Sequence, residues 1–241
     1  MIERKITVAS FDVYPNSTMK PSALQHYMQQ LAREDCDAMG YTYKMMREVN
    51  MVFVMTKLGI KASKPVFAYD ELTVKTYQNR VNGIIWEREF EFYRDGEEII
   101  HATTQWVVVK YDTRQIVRPR DFPGNIVSCE LDCNTIEIPR SLVTDSLSPV
   151  GERVVRLSDL DENDHLNNCV YSDISLDVLP YDRKEDYVQE IYIIFRQEAK
   201  IGDVLSLSSS EKESRFTVCA YNSTGEKPCF EAECVLGKIS G

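Results

Sequence analysis

The sequence predicts an α+β fold built from two tandem copies of one unit, each a long helix wrapped by an antiparallel sheet. Three observations carry this. A helix-like segment followed by strand, strand and hairpin occurs twice, in the same order. Anchor residues recur at near-constant spacing: Asp70 and Leu72 stand 133 positions before Asp203 and Leu205, and Gly96-Glu97 stands 129 before Gly225-Glu226. Between the copies, residues 112–150 are rich in Pro, Asp and Ser, as a connection would be. The expected division is a first unit over 1–111, a linker over 112–150 and a second unit over 151–241.

In chain order, PSALQHYMQQLAREDCDAMG places Leu24, Tyr27, Met28, Leu31 and Met39 at helical spacing, with Pro21 suited to the first turn and Gly40 to the stop. Strand-like runs follow: MVFVMTKLGIKA, DELTVKTYQ, IIWEREFEFY and IIHATTQWVVVKYD. Asp95-Gly96 lies between the last two, and Asp-Gly between apolar alternating runs is a hairpin signal. The second copy has a shorter helix, NNCVYSDISLDVLP, then strands EIYIIFRQ and DVLSLSSSEK, then the hairpin RFTVCAYNSTGEKPCFEAECVLGKI.

Composition excludes several classes. The 241 residues are 43% hydrophobic and 27% charged, which is globular rather than disordered. No apolar run approaches the ~20 residues that a membrane helix needs, and the first residues resemble neither a signal peptide nor a presequence, so no membrane role and a cytoplasmic setting are expected. Seven cysteines, Cys133 among them, form an odd set without a CxxC pair. Free thiols fit that better than a disulfide frame. Three scattered histidines, His26, His101 and His165, complete no zinc pattern, and no metal or cofactor is expected. A net charge of -10 argues against nucleic-acid binding, which relies on Lys and Arg neutralising phosphates.

The densest chemistry lies in DENDHLNN, residues 161–168. In extended backbone Asp161, Asn163 and His165 alternate and so project to one side. The plain alternative is a polar loop ahead of a helix, in which Asn and Asp serve local hydrogen bonds.

With FRQEAKIGD some thirty residues on, RLSDLDENDHLNNCVY resembles the acyl-acyl-carrier-protein thioesterases, and the likeness extends over nearly the whole chain. The resemblance implies a double hot-dog fold, hydrolysis of fatty acyl thioesters on acyl-carrier protein, and, for a chain without a transit peptide, a bacterial member. The family motif falls on Asp161, Asn163, His165, Asn167 and Asn168, and its later acidic residue falls on Glu198. Many plant members carry a Cys directly after that Glu. Here the position is Ala199, so a cysteine nucleophile there is impossible and a water mechanism is expected. Glu198 and His165 would supply the base, Asn163 would polarise the carbonyl or fix the water, and Asp161 would orient His165 or Asn163 from behind. Asn167 and Asn168 would cap the next helix. Aligned with the first copy, Asn163 meets Asn16 but His165 meets Thr18 and Glu198 meets Pro65. Only the second copy would carry the chemistry, while the first shapes the acyl pocket.

Cys169 is the rival nucleophile, four residues after His165 and near a helix start. His26 is expected in solvent and His101 in a structural role; Trp86, Trp106, Phe90, Phe92 and Tyr93 are expected in the core or on the sheet faces. An acidic carrier needs a local basic patch to overcome the net charge, and Arg114, Arg118 and Arg120 form one candidate, Lys57, Lys61 and Lys64 another. Rival readings are an acyl-CoA thioesterase and a non-catalytic acyl-binding protein on the same fold. Two fused units could stand as a monomer or pair as a homodimer.

Overall fold

The computed structural model describes residues 1–125, 128–129, 131, 134–143 and 146–239, so Cys133 and parts of the connection lie outside the described residues. The first copy runs β1 (Ile2–Thr7), α1 (Pro21–Ala38), α2 (Tyr43–Glu48), β2 (Met51–Ala62), β3 (Glu71–Asn82), β4 (Ile85–Arg94) and β5 (Glu97–Lys110). The second runs β6 (Ser148–Val154), α3 (Val170–Asp177), β7 (Asp186–Phe195), β8 (Val204–Lys212), β9 (Arg215–Asn222) and β10 (Lys227–Lys238). This is the α+β architecture that the repeat predicts and the double hot-dog fold that the resemblance implies, except that only α1, with 18 residues, is a long helix, α3 having 8.

All ten strands join in one antiparallel sheet, ordered β1-β3-β4-β5-β2-β7-β10-β9-β8-β6. The order reads the same from either edge once β1 is matched to β6, β2 to β7, β3 to β8, β4 to β9 and β5 to β10. The two copies meet where β2 pairs with β7, from Lys57 opposite Ile194 to Lys61 opposite Glu190. At the centre Gly59 faces Tyr192, its own counterpart 133 positions on, so a pseudo-twofold axis passes between them. The glycine is needed there: a Cβ would come within 2.9 Å of Ile136 Cγ2 in the segment crossing the sheet.

Burial follows the sequence pattern. Leu24, Met28 and Leu31 of α1 are buried with Leu58, Phe90 and Phe92 from the first copy and Ile191, Ile193 and Phe230 from the second, forming one core under the sheet. Pro21 opens the helix at its first turn, and Gly40, at φ 87°, follows its end. Asp95 and Gly96 take φ of 53° and 83°, the paired positive values of a tight hairpin turn. Trp86 belongs to a second cluster with Met46, Met51, Val108, Val117 and Phe122, which seats α2 on the sheet.

The buried carboxylates of Asp35 and Glu89 are paired, whereas Trp86 Nε1 is buried without a hydrogen-bond partner. The Asp35 carboxylate accepts from Arg88 Nη1 at 2.8 Å, with both side chains 4% exposed. Glu89, fully buried, accepts from Thr103 Oγ1 at 2.6 Å and Thr135 Oγ1 at 3.0 Å, and lies 3.1 Å from His101 Nε2. His101 Nδ1 is 2.7 Å from Glu98. Burial opposes charge on this imidazole, but hydrogen bonds to Glu89 and Glu98 outweigh it and raise its pKa. Its role is structural: the cluster fixes residues 134–136 over the sheet, where Ile136 N–H also donates to Thr103 Oγ1 at 2.9 Å.

Candidate active site

Asp161, Asn163 and His165 lie in an irregular loop between β6 and α3, not in a strand. The loop is closed by its own backbone. Asp161 N–H donates to the His165 carbonyl at 2.9 Å, and Asp164 N–H donates to the Asp161 carbonyl at 3.2 Å. Asp164 takes φ 63°, a left-handed value that Asp tolerates well among non-glycine residues. The Asp161 carboxylate accepts from the backbone N–H of Asn163 at 2.8 Å and of His165 at 3.3 Å. It therefore holds its two neighbours through their main chain rather than through their side chains.

Glu198 arrives from the other direction, in the irregular segment after β7. Leu166 N–H donates to the Ala199 carbonyl at 2.8 Å, which lays His165-Leu166 alongside Glu198-Ala199. The result is His165 Nε2 at 3.4 Å from Glu198 Oε2. The His165 side chain is 15% exposed and that of Glu198 40%, so water reaches the carboxylate while the imidazole stays largely covered. Asn163 Oδ1 accepts from Tyr43 OH at 3.3 Å, which occupies its acceptor and leaves the amide N–H groups as donors.

The first copy repeats this loop almost bond for bond. Tyr14 N–H donates to Thr18 C=O at 2.8 Å, Ser17 N–H to Tyr14 C=O at 2.8 Å, and Met19 N–H to Val66 C=O at 2.8 Å, with Ser17 at φ 64°. Asn16, Thr18 and Pro65 thus occupy the places of Asn163, His165 and Glu198, as the residue alignment implied. Their polar groups are satisfied among themselves and by the second copy: Thr18 Oγ1 donates to Asn16 Oδ1 at 2.7 Å, and Asn16 Nδ2 to the Asp186 carbonyl at 2.7 Å. No titratable group stands at the three counterpart positions.

Cys169 is unsuited to nucleophilic work. It is fully buried, and burial foremost, with Asp173 nearby, pushes its thiol far up. Burial likewise pushes Cys229 and Cys234 up to about 12. Asn167 Oδ1 accepts from Cys169 N–H at 3.0 Å at the start of α3; of the two asparagines it is the one with a capping bond among the described contacts. His26 is exposed on α1.

Three residues from outside the second copy reach this site, and nothing in their local sequence ties them to it. Tyr43 of α2 bonds Asn163, Arg33 of α1 pairs with Glu162 at 2.6 Å, and Arg114 Nη2 donates to Glu198 Oε2 at 2.8 Å. Arg114 belongs to a cluster expected to meet a carrier, but here its guanidinium pairs with a carboxylate at the surface. Lys57 donates to the carbonyls of Ile138 and Pro139 at 3.0 and 2.8 Å, and Lys64 pairs with Glu97 at 2.6 Å.

Two cavities, of 30 and 550 Å³, are lined by other residues than Asp161, Asn163, His165 and Glu198. The smaller one touches Thr18 and Pro65, the counterparts of His165 and Glu198, and has room for about one water. Among the described residues no cluster of His, Cys, Asp or Glu could hold a metal ion, and no helix is long and apolar enough to cross a membrane.

A doubled hot-dog sheet with one polar loop and one carboxylate brought together in its second copy defines a class, and comparison with known proteins gives it a family. Residues 1–122 match the acyl-ACP thioesterase N-terminal domain and residues 147–236 the acyl-ACP thioesterase C-terminal domain. The chain belongs to the acyl-ACP thioesterase family. It is 25% identical to the chloroplastic oleoyl-acyl carrier protein thioesterase 2 of Arabidopsis thaliana, over 87% of this chain and 63% of that protein's length. In fold it is similar to an acyl-ACP thioesterase from Bacteroides thetaiotaomicron, with TM-score 0.89 and 22% identity over 98% of this chain and 97% of that one. It is also similar to the 12:0-ACP thioesterase of Umbellularia californica, with TM-score 0.77 and 16% identity over 98% and 97% of the two chains.

Proposed function

We propose that this chain hydrolyses fatty acyl thioesters on acyl-carrier protein, releasing free fatty acid and ending chain elongation, in a cytoplasmic setting. The observation that carries this reading is the His165–Glu198 contact of 3.4 Å beside Asn163, present in one copy and replaced by Thr18 and Pro65 in the other. Family membership supports the substrate class, and the plant relatives named for acyl carrier protein support the carrier over coenzyme A.

The chemistry follows from the side chains. A water held at Glu198, the more exposed of the pair, gives its proton to the carboxylate or through it to His165, and its oxygen attacks the thioester carbonyl. Negative charge develops on the carbonyl oxygen, where the Asn163 amide N–H can donate. Collapse of the tetrahedral species breaks the carbon–sulfur bond, and the departing thiolate takes the proton back from the Glu198–His165 pair. Asp161 acts by keeping the loop closed through the Asn163 and His165 main chain. No cysteine takes part, since Ala199 follows Glu198 and Cys169 is buried.

Of the two basic clusters, Lys57 and Lys64 are engaged with their own fold and Lys61 is exposed, while Arg118 and Arg120, the latter 3.8 Å from Asp121, are exposed next to the site's Arg114 turn. The acidic carrier would dock there. The test is fatty-acid release from a long-chain acyl-carrier protein and from the matching acyl-CoA at equal concentration. Release from the carrier thioester should exceed release from acyl-CoA by at least tenfold. Equal or faster cleavage of acyl-CoA would overturn the carrier assignment.

A further inference from the structure

We infer that Arg114 is a positioning residue for Glu198, so that the connection leaving β5 completes the reactive site of the second copy. The inference rests on the role given to Glu198 above. Glu198 lies in an irregular segment, and its side chain is 40% exposed, so its backbone alone does not fix the carboxylate. Two contacts do: Arg114 at 2.8 Å and His165 at 3.4 Å, both on Oε2. The stronger contact is the charge-assisted hydrogen bond from Arg114, and it leaves Oε1 for a water.

The turn after β5 is built to aim this arginine. Arg114 takes φ 57°, a left-handed value uncommon for a residue with a Cβ. The turn is locked by Arg114 N–H donating to Lys110 C=O at 2.9 Å, Lys110 N–H to Gln115 C=O at 2.8 Å, and Val117 N–H to Val108 C=O at 2.8 Å. The guanidinium carbon lies 5.8 Å from the Tyr111 ring centroid, and Arg47 lies over the same ring at 3.2 Å. Arg47 also lies 5.8 Å from the centre of the Tyr43 ring, whose hydroxyl bonds Asn163. Arg114, Tyr111, Arg47 and Tyr43 thus form a continuous ladder of cations and aromatic faces from Glu198 to Asn163. One side of the ladder comes from the first copy and the turn that follows it; the reacting groups are second-copy.

The charged and titratable groups around Glu198 are Arg114 and His165 in contact and Tyr171 from α3 beneath. Among the described residues Arg114 is the permanent cation that touches the carboxylate, so its loss frees the side chain to leave the water's position.

The experiment compares wild type, Arg114→Gln and Arg114→Lys on two substrates: a long-chain acyl-carrier protein and the same acyl group on pantetheine alone. Arg114→Gln should lower kcat on the order of 10²-fold on both substrates, as a misplaced catalytic group does. Arg114→Lys should recover part of the rate, and added guanidinium ion should partly rescue Arg114→Gln. A loss confined to KM for the carrier substrate, with pantetheine turnover intact, would make Arg114 a docking residue and overturn the inference. Unchanged kcat in Arg114→Gln would overturn it as well. Should Arg114→Gln fail to fold, Arg114→Lys decides by the same two readouts. If Glu198→Gln itself keeps full rate, the reading of Glu198 fails first, which is a separate outcome.

Discussion

Glu198→Gln keeps the shape of the side chain and its contact with Arg114 but removes the proton acceptor, and turnover should fall on the order of 10²–10⁴-fold, the usual contribution of a positioned base. The loss should appear in kcat with KM little changed, because in the proposed mechanism Glu198 acts on the attacking water and not on the acyl chain. Thermal unfolding should be unmoved or slightly raised, since a carboxylate that is 40% exposed contributes little to the fold. Steady-state release of fatty acid, read beside the melting curve, checks both halves. Full turnover in Glu198→Gln would leave His165 without the partner assigned to it.

Asp35→Ala should produce the largest loss of stability. The carboxylate is buried on α1, pairs with Arg88 of β4 at 2.8 Å, and receives the N-terminal ammonium at 3.3 Å. Removing it leaves Arg88 without its carboxylate in a site where its side chain is 4% exposed, at a cost of about 3–5 kcal/mol. The remaining bonds from Arg88, to Thr76 Oγ1 at 3.2 Å and to Cys36 Sγ at 3.8 Å, are to neutral groups and do not replace it. Urea unfolding should show the midpoint fall with the slope kept. The double variant Asp35→Leu with Arg88→Met should lose much less, because the stranded charge leaves with its partner. A single-variant loss below about 1 kcal/mol would mean that water reaches Arg88.

The sequence made the repeat legible because strand and helix periodicities survive in both copies. The run MVFVMTKLGIKA coincides with β2 from end to end, and the match of Glu198 to Pro65 reappears as paired bonds, Leu166 to Ala199 and Met19 to Val66. Three elements carry no such signal. β1, IERKIT, is a mostly exposed edge strand, and β6, SPVGERV, includes Pro149 and Gly151, residues that read as turn and are tolerated at an edge. α2, YKMMRE, is six residues long, too short for helical periodicity to show. β6 begins at Ser148, inside the stretch read as connection.

The site was legible in part for a related reason. Asp161, Asn163 and His165 announce themselves by spacing, although the geometry behind that spacing is a closed loop and not an extended face. Arg114 and Tyr43 do not, because their partners Glu198 and Asn163 lie 84 and 120 positions away and nothing periodic links them. Long-range pairing of single polar residues leaves no pattern in a lone sequence. Glu89 illustrates the same limit: a carboxylate in the alternating run IIWEREFEFY reads as a solvent-facing strand position, yet it is buried beneath Thr135 and beside His101.

The central claim is that one water, activated at His165 and Glu198 without a cysteine, cleaves the thioester. The most direct measurement is fatty-acid release from a panel of acyl-carrier-protein thioesters of varied chain length by wild type, His165→Ala and Cys169→Ala. The account predicts release by wild type and by Cys169→Ala at similar rates, and its loss in His165→Ala across the panel. Binding of the panel without cleavage by wild type, or release that survives His165→Ala and disappears with Cys169→Ala, would contradict it.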